Sequence, residues 1–386
     1  MSEPVAGLDE VLAADGWPYA SSLPVAADDP GRFHALFGRD SLITSLQLLP
    51  VRPDVARATL RALAGKQGRI EHSGTLEAPG KIGHEFRDEP PESFIGWPPG
   101  PFGYYGTADA TSWFLVVLAA TGDAGLAAEL EPNWRAAAQW IEHELDRGEG
   151  LIRHSGGDLG GLTHQGWRDA IDPRTDENGG GTLRADGTSP VPPLADADTQ
   201  AVTVAALRAM AQLSGDDRWR ARHDQLRAHV TRTYLPDVVL VDADGPVPGA
   251  GSQLGWLLWA DALEPDLVPD VAARLCEPDV LTDFGLRTLS SSSPVFRADG
   301  YHRGTIWPFD SWLGWGGLRA AGRHDDAERV RRGVRRAIDE LGGFPELYGV
   351  DATGNLQRVP ASNYVQAWTV GAQWALTHEW DGRTWA

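Results

Sequence analysis

The sequence predicts an all-α fold in which about twelve helices pair into six hairpins and close into a double ring, an (α/α)6 barrel. Three observations predict it. Helical periodicity dominates the chain, strand-like alternation is scarce, and no motif recurs at a fixed spacing, which disfavours an open solenoid of repeats. Read in order, the helical windows fall near 8–15, 40–48, 53–64, 108–121, 133–147, 197–213, 216–233, 253–264, 267–276, 305–320, 325–341 and 363–378. In the second window Leu42, Ile43, Leu46 and Leu49 share one face. In the fifth, Trp134, Ala137, Ile141 and Leu145 do so after a candidate N-cap, Asn133.

The chain of 386 residues, 42% of them apolar, can bury a large core, and no Ser/Gly tract or charge block divides it. Residues 1–386 are therefore expected to form a single domain. The connections are uneven: segments 65–107, 146–196, 277–304 and 342–362 are long and rich in Gly, Pro, Trp and charged residues. Long segments without their own periodicity tend to be functional or disordered, and the aromatics here argue for function. A site is expected where these four segments converge.

Composition narrows the function. A net charge of -20 and a pI near 4.9 repel polyanions, so nucleic acid and anionic membrane are poor partners and a neutral substrate fits better. Cys276 is the only cysteine, which excludes an intrachain disulfide and thiolate-rich zinc sites. The start Met1-Ser2-Glu3-Pro4 lacks a basic segment followed by an apolar one, so a soluble protein retained in the cytoplasm is expected. No metal is expected: His-Glu-x-x-His is absent, and Asp242-Ala243-Asp244-Gly245 matches too little of a calcium loop and reads as an acidic surface loop. No cofactor is expected either. The chain has 16 tryptophans, whose flat indoles suit sugar C–H faces as well as cores; about half are assigned to packing.

Two segments place carboxylates in unusual company. His164-Gln165-Gly166-Trp167-Arg168-Asp169-Ala170-Ile171-Asp172 sets Asp169 beside an indole, where desolvation raises a carboxyl pKa toward the range of a general acid. The same Asp could cap a helix or pair with Arg168 or Arg174, and Asp172 and Glu177 are alternative acids. In Gly342-Gly343-Phe344-Pro345-Glu346-Leu347-Tyr348-Gly349, Gly and Pro stop the preceding helix and the apolar flanks argue against a simply solvated Glu346. Across a barrel mouth, Asp169 and Glu346 would give the acid and base of glycoside hydrolysis. Phe37-Gly38-Arg39-Asp40-Ser41 puts donors and acceptors side by side, either as a clamp on vicinal hydroxyls or as a helix-start Asp neutralised by Arg. Tyr301-His302-Arg303-Gly304-Thr305-Ile306-Trp307-Pro308 leads polar and aromatic residues into another helix start.

Together these segments resemble the bacterial amylo-α-1,6-glucosidase (glycogen debranching) group and, more distantly, glucoamylases and the processing-glucosidase and mannosylglycerate hydrolase group. The resemblance rests on FGRDSLITSLQLLP at 37–50, GKIGHEFR at 80–87, YYGTADAT at 104–111, HQGWRDAID at 164–172, FGLRTLS at 284–290, YHRGTIWPFDSWL at 301–313, GGFPELYG at 342–349 and YVQAWTVGAQW at 364–374. It runs in order over roughly 37–378 and implies an (α/α)6 barrel with inversion at the anomeric carbon. By the same resemblance Asp169 is the general acid and Glu346 the base, Arg39 and Asp40 clamp the non-reducing-end sugar, and Trp167 and Trp307 wall its pocket. Phe37, Lys81, Glu85, Tyr105, Gln165, Arg168, Arg287 and His302 are further substrate-binding candidates.

An N-terminal β-sandwich carried by many larger members is not seen before the barrel motifs, so a small oligosaccharide or glucoside, α-1,6-linked as in isomaltose, is expected over glycogen. Glucosylglycerate- or mannosylglycerate-type hydrolysis is the alternative. Inversion requires a water between base and sugar, hence carboxyls about 6.5–9.5 Å apart. A phosphorylase would replace the base with cations, which Glu346 argues against; a sugar epimerase would use a histidine pair such as His164 and His302. A non-catalytic sugar-binding protein would need neither carboxylate. The loops 88–103, with Trp97, Pro98 and Pro99, and 173–195, with a Gly run at 179–181, would shape the leaving-group side as lid or wall.

Overall fold

The computed structural model describes residues 4–94 and 96–385, so the N-terminal reading at residues 1–3 lies outside the described residues. Among these residues there are thirteen helices: α1 (Leu8–Val11), α2 (Gly38–Gln47), α3 (Pro53–Gly65), α4 (Ala110–Ala120), α5 (Ala124–Glu129), α6 (Glu131–Arg147), α7 (Ala197–Ser214), α8 (Arg218–Tyr234), α9 (Gln253–Trp259), α10 (Val268–Leu275), α11 (Pro308–Ala320), α12 (His324–Leu341) and α13 (Ala367–Thr377).

Six of them form the inner ring. Helix α2 packs on α4, α4 on α7, α7 on α9, α9 on α11, α11 on α13, and α13 returns to α2, so the ring closes. The sequence explains which helices go inside. All ten residues of α2 and all but the last of α4 are buried; α4 lacks the polar stripe that a surface helix needs, while the polar side chains of α2 are enclosed by its neighbours. The outer helices α3, α6, α8, α10 and α12 each pack on an inner neighbour, and short α1 packs on α13. Their stripes are narrow: α12 buries Ala327, Val330, Gly333, Val334, Ala337 and Ile338 at three- and four-residue spacing. This is the expected double ring.

The boundaries differ from the sequence reading for local reasons. The first window stops at Val11 because Leu12 turns extended and bridges Pro18. The 253–264 window ends at Trp259, followed by Asp261 at a φ of 53°. The 305–320 window starts at Pro308, which fits the first helical turn, while Ile306 before it is drawn into bridges with Arg287 and Tyr348. Asn133 is not an N-cap: α6 begins at Glu131, and the Asn133 side chain donates to Ala64 O and Gln67 Oε1. The unforeseen α5 is capped by Asp123, whose Oδ1 accepts from Leu126 N at 3.0 Å.

Strands are short and confined to the connections. Leu36–Phe37, Glu85–Arg87 and Phe102–Tyr104 pair antiparallel, as do Tyr348–Val350 and Leu356–Arg358. Ala195–Asp196 joins the hairpin Val238–Asp242 with Gly245–Pro248, at whose turn Asp242 and Asp244 both accept from Arg184. A fourth pair joins Leu281–Thr282 to Gly285–Leu286. No helix of the described residues is long and apolar enough to cross a membrane.

Trp113, Trp256, Trp259, Trp312 and Trp315 on the inner helices are fully buried and fill the ring's interior. The ring closes tightest where α9 crosses α11: a Cβ on Gly255 would sit 2.6 Å from Gly314 Cα. Since both sides are backbone, Gly255→Ala is expected to destabilise the protein by about 1–3 kcal/mol through overpacking. Chemical denaturation checks this, and an unchanged midpoint would contradict the close crossing.

Candidate active site

All six inner helices deliver their N-terminal ends to one place. Arg39 and Asp40 come from the first turn of α2, Trp307 precedes α11 and Trp368 opens α13, and all four line a cavity of about 570 Å³. Just beneath it lie Asp109 before α4, Asp198 in α7 and Ser252 before α9. The four long segments supply most of the remaining lining, among them Glu85 and Phe94, Leu162, Trp167 and Asp169, Tyr301 and His302, and Glu346, and the stretch before α2 adds Arg32, Phe33 and Phe37.

Arg39, 2% exposed, is the centre of the network. Its Nε donates to both oxygens of Asp109 at 3.0 and 2.8 Å, its Nη1 to Asp169 Oδ2 at 3.1 Å, and its Nη2 to Thr107 Oγ1 at 3.5 Å and Gln165 O at 3.4 Å. The guanidinium is thus turned toward protein acceptors, where the sequence suggested a direct sugar clamp. Asp40, by contrast, accepts no hydrogen bond from the described residues. Burial, aided by the charges of Asp169 and Glu346 and opposed by Arg39, holds its carboxyl well above the usual range.

Asp169 is not paired with Arg168 or Arg174, which bind Asp198 and Asp172 instead. Burial in the cavity pushes its carboxyl up to about 6, against the pull of Arg39. Asp172 is held below the usual range by Arg174, and Glu177 is exposed; neither lines the cavity. Glu346, 1% exposed, accepts from Tyr301 OH on Oε1 and from Asn363 N on Oε2 at 3.1 Å. Burial raises it to about 7, opposed first by the charge of Arg32 and then by these two donors.

The aromatic wall is continuous. Trp167 meets Trp307 edge to face at 5.5 Å and His302 at 5.4 Å, and lies parallel to Trp256 at 6.1 Å; Trp307 meets Trp368 at 5.7 Å. His302 Nδ1 accepts from Gly181 N at 3.0 Å, which leaves the proton on Nε2, and burial holds the ring neutral. His164 is buried elsewhere and does not line the cavity, so the histidine pair of an epimerase is not assembled.

Of the sequence-derived candidates, Asp169, Glu346, Phe37, Arg39, Asp40, Glu85, Trp167, His302 and Trp307 line the cavity. Five lie outside it, each with at least one polar atom bonded to the protein. Arg168 stacks on Trp167 and bonds Asp198 and Ser252 Oγ, and Arg287 donates to Val350 O at 2.8 Å. Tyr105 donates to Lys66 O at 2.7 Å, Gln165 Nε2 to Leu162 O at 3.1 Å, and Lys81 Nζ to Leu76 O at 3.3 Å. Tyr301, Asp109 and Trp368 were within the quoted motifs yet unassigned, because spacing does not tell which motif residue faces inward. Arg32 and Arg87 also line the cavity, and Arg32 lies outside every motif.

Against this geometry, residues 39–369 match the family model described as mannosylglycerate hydrolase MGH1-like glycoside hydrolase domain. The chain belongs to that family. It is the more distant of the resemblances carried by the motifs, and the match does not carry the amylo-α-1,6-glucosidase assignment. Among solved structures, this glycoside hydrolase is similar to the GH63 mannosylglycerate hydrolase of Thermus thermophilus in complex with Tris and D-glycerate, at 16% identity and a TM-score of 0.69, covering 97% of this chain and 99% of that one. It is also similar to the neutral trehalase of Saccharomyces cerevisiae, at 18% identity and a TM-score of 0.59, covering 95% of this chain and 74% of that one. These likenesses show the shared (α/α)6 barrel. No curated protein sequence is a significant match.

Tyr301 supports the ionised form of Glu346, so Tyr301→Phe is expected to raise that carboxyl's pKa by about one unit. Carbon-13 NMR of glutamate-labelled protein reads this directly, and an unmoved titration would contradict the hydrogen bond.

Proposed function

We propose that this glycoside hydrolase removes a hexose, with inversion, from a small α-linked glycoside whose aglycone is a glycerate-type acid. Asp169 acts as general acid and Glu346 as general base. The observation that carries the assignment is the unequal hydrogen bonding of two carboxyls facing one cavity. Both oxygens of Glu346 accept from protein donors, the pattern of an acceptor-only carboxylate. Asp169 has one oxygen on Arg39, and Oδ1 has no protein partner among the described residues, so it can carry the proton. Burial raises Asp169 to about 6 and Glu346 to about 7, and it is their hydrogen-bond partners rather than the order of those values that support the roles.

In this reading Asp169 protonates the leaving oxygen while Glu346 takes a proton from water as it attacks the anomeric carbon from the opposite face. Asp40 accepts from sugar hydroxyls, and Trp167, Trp307 and Trp368 enclose the ring. Arg39 positions Asp169. The acidic aglycone is supported by the family match and by two further cations in the lining, Arg32 and Arg87. Arg32 donates Nη2 to Ala361 O at 2.8 Å and retains other donors of its five. The family match and these cations favour such glycosides over isomaltose-type α-1,6-glucosides, the substrate expected from the motifs.

Proton NMR of the enzyme with glucosylglycerate, mannosylglycerate and isomaltose tests the proposal. The first-formed hexose should be the β anomer, one of the glycerate glycosides should be cleaved fastest, and Asp169→Asn and Glu346→Gln should each lose at least about 100-fold in kcat. An α anomer formed first, or isomaltose as the best substrate, would contradict it.

A further inference from the structure

Two sequence-derived candidates that miss the active-site cavity, Lys81 and Gln165, meet in another one. A second cavity of about 680 Å³ lies behind the wall made by residues 104–108 and 162–165, where Ala108 N bonds Gln165 O at 2.8 Å. Its lining is balanced in formal charge: Lys81, Arg147 and Arg153 against Glu71, Glu77 and Glu144. A site for an anion or a metal would be biased to one sign, whereas a neutral ligand needs donors and acceptors in equal supply.

The wall also holds unspent hydrogen-bonding capacity. Lys81 is 8% exposed, and its Nζ makes one hydrogen bond, to Leu76 O, of the three it can donate. His154 is 6% exposed, with both ring nitrogens enclosed by protein and Nδ1 3.5 Å from Asp196 Oδ2, so it shapes the wall without offering a ligand a donor or acceptor. Beside Lys81 lies Trp140, with Lys81 Nζ 5.5 Å from its ring centroid, giving an apolar face next to the free ammonium donors.

We propose that this second cavity binds a neutral polyhydroxylated small molecule, a monosaccharide or polyol, separately from the substrate. The site is built into the barrel: Thr107 and Gln165, which line it, are the residues whose oxygens also receive Arg39 Nη2. Its existence does not depend on which glycoside the enzyme hydrolyses.

Nitrogen-15 NMR of the tryptophan indoles tests it on the intact protein, with the Trp140 signal assigned by its loss in Trp140→Phe. Trp140 reports the second cavity and Trp307 the first. D-glucose, glycerol and inorganic phosphate are titrated in turn. The expected result is a saturable Trp140 shift with glucose or glycerol, the tighter of the two distinguishing sugar from polyol. In Lys81→Met and Glu144→Gln that affinity should fall about tenfold or more, while Trp307 responds to glucose as in the unaltered protein, which shows the variants folded. A saturable shift with phosphate alone, no saturable shift with glucose and glycerol, or unchanged affinity in both variants would overturn the proposal.

Discussion

The site depends on one buried cation. Arg39 sits in the first turn of an inner helix, with Asp109 from the start of the next inner helix on one side of its guanidinium and Asp169 from the long 148–194 segment on another. A charge so enclosed is tolerated only when its donors are met, and here every nitrogen has an acceptor. The requirement works both ways. Satisfying Arg39 ties α2 to α4 and holds the Asp169 segment over the ring, so the stability of the barrel and the placement of the carboxyl are the same interaction.

A second layer repeats the device below the aromatic wall. Arg168 is buried between Asp198 and Ser252 Oγ while its face covers Trp167, and Asp310 accepts from Trp256 Nε1 at 2.6 Å. Trp167 and the Trp256 parallel to it are therefore held from behind by an ion pair and a hydrogen bond as well as by packing. Such support lets an indole keep one orientation toward a sugar ring, which loops alone do not ensure.

Much of the fold was legible because burial leaves a periodic trace. Outer helices such as α12 show their stripe plainly, and inner ones such as α4 show an unbroken apolar run. The ends were less legible, since Leu12, Asp261 and Ile306 take their conformations from contacts with distant segments. In the site, Asp169 and Glu346 stood out because carboxyls among Trp, Gly and Pro are costly without a purpose. Arg39 was found but its partner was not, because Asp109 and Asp169 are 70 and 130 residues away. Lys81 and Gln165 were assigned to the wrong cavity for a similar reason: motif membership gives proximity to the site, while side-chain direction is set by the wall they belong to. Tyr301 and Arg32 left no periodic signal.

The central claim is that Arg39 positions Asp169 for proton donation, and Arg39→Lys tests it most directly by keeping the charge while removing the forked donors. Measured as a pH profile of kcat with the best glycerate glycoside, the variant should lose about 100-fold in kcat through misplacement of the acid. Its pH profile should also move to higher pH, because the hydrogen bond that lowers the Asp169 pKa is gone. A folded variant with the original kcat and an unmoved pH profile would contradict the account.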